Sequence, residues 1–324
     1  MKPVMLILDD WEGRIAASKS WQKLKDLVEI RFLDKALVDA DESELLHVEF
    51  LMAIRERTAL SARVFERLPG LRLILQTGGH AYHIDRNAAD KKGIPIALGR
   101  KAKAPLDSVP ELVFAMALGL MHRVPEGNKA IHGGKWPRLI GRTLAGKRLG
   151  ILGLGRHGSR VARIAKTAFN MDVVTWNRKG DNSYSGDPAF PRLSLEELLM
   201  TSDLVSIHLR LSEESTGLFN KECFNKMKPG AILINTSRGA IVDEQALEEA
   251  LANGSLGGAG LDVFTHEPLA ADSPLLLYEN VILTPHIGWT VEEVFEEFAQ
   301  IASKQVLDFL GGSLDDSELL NPQT

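Results

Sequence analysis

The sequence predicts an α/β protein with two doubly wound parallel-sheet domains. Three observations carry this. Residues 1–100 alternate short apolar runs with amphipathic stretches. Residues 147–177 read as apolar run, glycine cluster, helical pattern and second apolar run. The alternation then resumes and ends in a long helical pattern at 291–309. Short apolar strands separated by amphipathic helices form parallel sheets covered on both faces. A length of 324 residues suits two domains of ordinary size.

Composition sets the class. Hydrophobic residues make 44% of the chain and charged ones 25%, enough for packed cores and too polar for a membrane protein. The balance of 38 Lys+Arg against 43 Asp+Glu gives a net charge of -5, which argues against a broad nucleic-acid surface. Cys223 is the one cysteine, so an internal disulfide and a cysteine metal cluster are both excluded. The apolar run near the start is too short for a signal peptide and acids follow it at once; no run is long enough to span a bilayer. A cytoplasmic protein with no membrane partner is expected.

In chain order, strands are predicted at 4–8, 28–32, 48–53, 71–76 and 94–98, with helices at 18–26, 61–67 and 84–92 between them. Gly78 and Gly79 directly follow the fourth strand, where backbone can approach a ligand as readily as it can simply turn. His80 and His83 sit three apart but have no acidic or histidine partner at ligand spacing, so no metal is expected. Ser108 and Glu111 read as a capping box opening a helix that is apolar all round from 112 to 120. Residues 123–146 are rich in glycine and cations and read as an arm or loop carrying Trp136. Later strands fall at 204–207, 231–234 and 281–283. Helices fall at 195–200, opened by the Ser194–Glu197 capping box, at 221–225, at 244–252 and at 291–309, the last capped by Thr290.

The stretch 147–177, KRLGILGLGRHGSRVARIAKTAFNMDVVTWN, carries the strongest signal. Gly153, Gly155 and Gly158 stand between a strand and a helix that leads to a second strand, the context that makes G-x-G-x-x-G a dinucleotide fingerprint. The helix start then offers free N–H groups and a dipole to the pyrophosphate. An acidic residue usually ends the second strand and binds the ribose hydroxyls. Here Asn177, Arg178 and Lys179 stand there. An amide does not repel a phosphate and cations attract one, which points to NADP(H) over NAD(H) unless Arg178 and Lys179 form only a solvated turn.

Three further groups follow strands: Arg238 after the run ending at 234, Glu267 in the segment 260–268, and His286 after the run 281–283. Carboxyl ends of strands line the ligand crevice of a doubly wound sheet. Hydride transfer to a 2-oxo acid leaves an oxyanion that an imidazolium can protonate. A carboxylate beside that histidine favours its charged form. A guanidinium grips carboxylate and carbonyl with planar, bidentate donors. Taken singly, a histidine after a strand is usually structural, a surface arginine usually solvated or ion-paired, and Glu267-Pro268 an ordinary turn start, so none of the three carries the reading alone.

Taken together, the pieces resemble the D-isomer-specific 2-hydroxyacid dehydrogenases, the group with the glyoxylate/hydroxypyruvate reductases and phosphoglycerate dehydrogenases. The resemblance rests on GLGRHG at 153–158, SVPELVFAMAL at 108–118, SDLVSIHLRLSEESTGLF at 202–219, MKPGAILINTSRGAIVDEQAL at 227–247, GAGLDVFTHEPL at 258–269 and TPHIGW at 284–289. It implies a Rossmann cofactor domain, residues 101–290, inserted in a flavodoxin-like substrate domain formed by 1–100 and 291–324. It implies that Arg238 holds the substrate carboxylate, that Glu267 partners the histidine and that His286 is the acid/base. By the same resemblance Gly78 and Gly79 offer backbone amides to the substrate carboxylate, Arg156 and His157 lie at the pyrophosphate, and Thr236 and Asp262 lie near the nicotinamide. A homodimer is implied, joined through the Ser108 helix and the arm with Trp136. The expected activity is reduction of a small 2-oxo acid to a D-2-hydroxy acid, with glyoxylate and hydroxypyruvate as candidates. The alternative is a cofactor-sensing corepressor on the same scaffold. The chain departs from the family at His80–His83, at Arg210, where many members have proline, and at Asn177.

Overall fold

The structure is a computed structural model that describes residues 2–178 and 189–321, so Lys179 lies outside the described residues. The chain divides into two compact units, residues 1–104 with 290–324 and residues 105–289.

The first unit holds strands β1 (Val4–Ile7), β2 (Glu29–Phe32), β3 (Val48–Ala53), β4 (Leu73–Gln76) and β5 (Ile96–Leu98). Their order is β2-β1-β3-β4-β5 and every neighbouring pair is parallel. This is the flavodoxin-like order. The central strands read VMLI and FLMA without alternation because both faces are covered. Helices α1 (Glu42–Leu45), α2 (Ala62–Glu66) and α3 (Arg86–Lys91) connect them. The helix expected at 18–26 is instead a 3-10 segment, Lys19–Lys23, whose Ser20 N–H donates to the Ser18 hydroxyl at 3.1 Å. The last helix, Glu292–Leu310, buries Val294, Phe295 and Phe298, and Phe309 meets Phe50 edge-on with ring centres 5.9 Å apart. Each such fully buried side chain contributes roughly 1.5–3 kcal/mol, which fixes this distant segment to the first strands. Its N-cap is Val291 with no side-chain cap, so Thr290 does not fill the capping role expected of it.

The second unit opens with α4 (Pro105–Met121) and α5 (Val124–His132). It continues as β6 (Arg148–Leu152), α6 (Arg156–Phe169), β7 (Asp172–Trp176), α7 (Leu195–Thr201) and β8 (Leu204–Ile207). It ends with α8 (Lys221–Lys226), β9 (Ala231–Asn235), α9 (Glu244–Ala252), β10 (Leu256–Leu261) and β11 (Val281–Leu283). The parallel sheet runs β11-β10-β9-β8-β6-β7. Arg192 adds an isolated parallel bridge to Thr175 beyond β7. With that bridge as a rudimentary third strand, the order reverses beside β6 as in the dinucleotide-binding fold. One face is covered by α4 and α6 and the other by α7, α8 and α9, each over its own apolar cluster.

Two local expectations change. Ser108 does not open its helix, which starts at Pro105. It lies in the first turns, and its buried hydroxyl donates to the Gly288 carbonyl at 2.8 Å. Pro105 supplies a helix-compatible φ three residues earlier, so the capping pattern is bypassed. Part of the segment read as a loop is a nine-residue helix, α5, with no buried residue. Its polar, glycine-containing sequence hides it from a periodicity argument.

Candidate active site

The glycine cluster sits at the carboxyl end of β6, at the reversal of strand order. Gly153 has φ of +99°, and Gly155 forms the N-cap of α6. A β-carbon on Gly158 would lie 2.1 Å from the Gly153 carbonyl oxygen, so only glycine permits this helix to seat on its strand. A β-carbon on Gly155 would meet nothing within 4 Å, leaving open space in front of the α6 amides. These features fit a pyrophosphate, with Arg156 and His157 on the first turn.

Asn177 closes the loop from behind. Its Oδ1 accepts the Leu154 N–H at 2.6 Å, and its carbonyl accepts from Arg192 at 2.8 Å. Arg178 Nη1 donates to Ser212 Oγ at 2.8 Å and to Glu214 Oε2 at 3.0 Å; the Arg178 side chain is half-buried and Glu214 is largely exposed. Behind the loop, His208 is pushed down to about 3 by burial, with the charge of His157 adding to the effect. Its Nε2 lies 2.9 Å from Ser206 Oγ. The neutral His208 beside His157 escaped the sequence reading, because it stands inside an apolar strand pattern.

Arg238, Glu267 and His286 come together at the carboxyl ends of β9, β10 and β11. His286 Nδ1–H donates to Glu267 Oε2 at 2.8 Å, and the second oxygen of Glu267 accepts the Phe264 N–H at 3.0 Å. Nε2 is left as the atom for proton exchange with a ligand. Burial pushes the Glu267 carboxyl up. The His286 hydrogen bond, the Phe264 N–H and the charges of His286 and Arg238 outweigh it and hold the group below its usual range. Glu267 therefore stays ionised at neutral pH beside the imidazole. Gly239 fixes the Arg238 turn against the Glu267 loop: a β-carbon there would lie 1.9 Å from the Phe264 carbonyl carbon. The half-buried Arg238 donates from Nη1 to the Ser237 carbonyl at 2.7 Å. Thr236 offers a buried hydroxyl with no hydrogen-bond partner among the described residues.

Asp262 is 1% exposed and serves the histidine loop. Its Oδ1 accepts the Thr284 hydroxyl at 2.5 Å and the Ile287 N–H at 2.8 Å, and its Oδ2 accepts the Gly288 N–H at 2.9 Å. Burial raises its carboxyl, opposed by these three donors and by the charge of His286.

Gly78 and Gly79 lie in the other unit, at the carboxyl end of β4. Asp9, Arg55 and Gly78, which follow β1, β3 and β4, all adopt positive φ, at 59°, 57° and 86°. Such backbone persists where surrounding contacts enforce it, and clusters at binding sites. The Arg55 N–H donates to Thr77 Oγ1 at 2.7 Å, and its Nη1 stands 2.6 Å from where a Gly78 β-carbon would be. Sequence reasoning missed Arg55, since nothing in its neighbourhood separates it from a solvated arginine. His80 and Tyr82 stack with ring centres 5.3 Å apart, and burial lowers the pKa of His83.

Residues 114–288 match the family model described as D-isomer specific 2-hydroxyacid dehydrogenase, NAD binding domain. A glyoxylate reductase of Korarchaeum cryptofilum is 35% identical over 79% of this chain and 78% of its own. A hydroxypyruvate reductase of Blautia hydrogenotrophica is 34% identical over 90% of this chain and 92% of its own. The crystal structure of D-lactate dehydrogenase from Aquifex aeolicus, complexed with NAD and lactic acid, superposes with a TM-score of 0.81 at 29% identity, covering 99% of this chain and 100% of that one.

Proposed function

The chain belongs to the D-isomer-specific 2-hydroxyacid dehydrogenase family and is on that ground a nicotinamide-dependent oxidoreductase; we propose that it reduces a small 2-oxo acid to the D-2-hydroxy acid with NADPH. The observation that carries this reading is the His286–Glu267 pair at 2.8 Å with Arg238 beside it. Arg238 binds the substrate carboxylate and carbonyl through its planar fork. His286 Nε2 donates a proton to the carbonyl oxygen as negative charge develops there, and Glu267 steadies the imidazolium. The amides of Gly78 and Gly79 serve a carboxylate, and residues 1–100 and 291–324 form the substrate domain. Residues 101–290 form the cofactor domain. The dinucleotide, when bound, supplies the hydride; Gly153, Gly155, Arg156, His157 and Gly158 hold its pyrophosphate, with Thr236 and Asp262 toward the nicotinamide. In the reverse direction neutral His286 takes the proton back. Glyoxylate and hydroxypyruvate are the first substrates to test, being named for the two reductases above.

The preference for NADPH rests on Asn177, Arg178 and Arg192. Asn177 brings no negative charge to the ribose, and Arg178 pairs with an exposed Glu214 that a phosphate can displace at little cost. Arg210, exposed on the next loop, adds a cation. Titration of the protein with each reduced cofactor, followed by absorbance assays over a panel of 2-oxo acids, tests both readings. NADPH is expected to bind tighter, and Arg178→Glu to weaken it about tenfold or more through loss of one charge-assisted bond. Equal affinities would sink the NADPH assignment. Tight binding with no turnover on any acid would sink the reductase reading.

A homodimer is supported by α5, where Val124 is 56% and Ile131 50% exposed, and by Trp136 at 89% and Ile140 at 86%. Apolar surface of this kind marks an interface. Light scattering should return twice the 35.6 kDa chain mass, and Ile131→Glu with Ile140→Glu should halve it; a monomeric parent protein overturns this. A cytoplasmic setting suits a chain whose Cys223 is buried and unbridged. Among the described residues no helix is long and apolar enough to cross a membrane.

A further inference from the structure

Strand β4 reads LILQ and is buried throughout, so Gln76 stands where the core calls for an apolar side chain. It is 2% exposed, and Thr77 directly after it is 3% exposed. Both side chains meet the backbone of Arg55, which follows β3. Gln76 Nε2 donates to the Arg55 carbonyl at 3.2 Å and to the Thr77 carbonyl at 3.0 Å. Carbonyls only accept, so the amide nitrogen and not its oxygen must face them. Thr77 Oγ1 accepts the Arg55 N–H at 2.7 Å. Both main-chain polar groups of Arg55 are thus held by side chains from the end of the adjacent strand. Arg55 has φ of +57°, a left-handed conformation that residues with side chains rarely adopt, and Gly78 is left-handed as well at +86°. The Gln76 oxygen is buried with no hydrogen-bond partner among the described residues. An apolar side chain would spare the strand that cost, so packing alone does not account for the glutamine.

We propose that Gln76 and Thr77 are positioning residues that staple the Arg55 turn to the Gly78–Gly79 turn and so set the amides of the glycine turn for a substrate carboxylate. This rests on the reading of Gly78 and Gly79 as the seat of a carboxylate. Strands β3 and β4 pair in parallel with Ala53 opposite Gln76, and the Thr77 N–H extends the ladder to the Ala53 carbonyl at 3.1 Å. Past that bond the two chains leave the sheet in left-handed turns, and the Gln76 and Thr77 side chains continue the cross-link that the ladder began. A carboxylate does not change its charge during hydride transfer, so its seat contributes alike to the bound substrate and to the transition state. Loosening that seat raises KM and leaves kcat in place.

Four full-length variants, assayed on the best 2-oxo acid of the panel, test this: Gln76→Met, Thr77→Val, Thr77→Ser and Gly78→Ala. Thermal melting establishes that each is folded. Gln76→Met keeps the length of the side chain and removes the donor. It should raise KM about tenfold, the value of one hydrogen bond to a carboxylate, with kcat and NADPH affinity within about threefold of the parent. Thr77→Val removes the acceptor of the Arg55 N–H and should raise KM by a similar factor, whereas Thr77→Ser keeps the oxygen and should return KM to the parent value. Residues that served stability alone would lower the melting temperature and leave KM as it was; that outcome in Gln76→Met and Thr77→Val overturns the staple. So does a loss of kcat at unchanged KM, or a Thr77→Ser variant as impaired as Thr77→Val. If Gln76→Met does not fold, the two Thr77 variants decide. Gly78→Ala probes the premise, because its φ of +86° strains an alanine and the added β-carbon would stand 2.6 Å from Arg55 Nη1. It should raise KM at least as far as Gln76→Met does. Parent KM in Gly78→Ala removes the glycine turn from substrate binding, and is thereby distinguished from failure of the staple.

Discussion

His286→Ala is expected to lower kcat for reduction of a 2-oxo acid by about 10³-fold while NADPH affinity is kept. Positioned acid/base groups contribute roughly 10²–10⁴-fold to rate. The loss should approach the upper part of that range, because His286 is the imidazole that Glu267 orients, and no second acid stands in the trio. The other members cannot substitute: Arg238 is assigned to the substrate carboxylate, and Glu267 is held ionised. Cofactor binding survives because the glycine loop follows β6, while His286 follows β11 at the far edge of the sheet. The pH response gives the sign. Reduction draws a proton from His286 and oxidation returns one to it, so the two directions should respond to pH with opposite sign. His286→Ala should flatten both limbs. Rates and profiles matching the parent would remove His286 from the chemistry.

Arg238→Ala is expected to lower kcat/KM by about 10²–10⁴-fold. A guanidinium gripping a carboxylate and carbonyl makes two hydrogen bonds to charged groups, each worth about 1.5–3 kcal/mol, and each 1.4 kcal/mol is tenfold in rate. Part of the loss should appear in KM, from carboxylate binding, and part in kcat, because the same fork polarises the carbonyl. Arg238→Lys should recover only a small part, since a point charge cannot reproduce the planar pair of donors. The turn should stay in place in both variants, because Gly239 and not the arginine side chain seats it against Phe264. Steady-state kinetics on the best 2-oxo acid, with NADPH titration as control, checks this. A drop confined to cofactor affinity would move Arg238 out of the substrate site.

The residues that were legible in the sequence share one property: their signal is local. The glycine cluster announces itself because strand, turn and helix are contiguous, and the tight approach of Gly158 to Gly153 requires that spacing. Arg238, Glu267 and His286 were visible as polar residues following apolar runs. Strand β10 was harder, since its sequence LGGAGL has no β-branched or aromatic residue to mark it. The capping box at Ser108 misled for the opposite reason: a local pattern was present, but the helix had begun at Pro105 and the hydroxyl had a tertiary partner in Gly288. Arg55 and His208 gave no local signal, because the first draws its interest from a neighbouring strand end and the second from burial.

The sequence by itself determined the fold class and the place of the glycine loop, and it marked Arg238, Glu267 and His286 as polar residues after apolar runs, because periodicity, glycine spacing and strand-end position are all properties of neighbouring residues. The tertiary structure decided how those residues are held. Asn177 turns out to brace Leu154, and Asp262 to grip the turn that carries His286 from 24 positions along the chain (286 less 262). Long-range hydrogen bonds of this kind form only when parallel strands bring distant segments side by side, and no pattern within either segment records the partner it will meet.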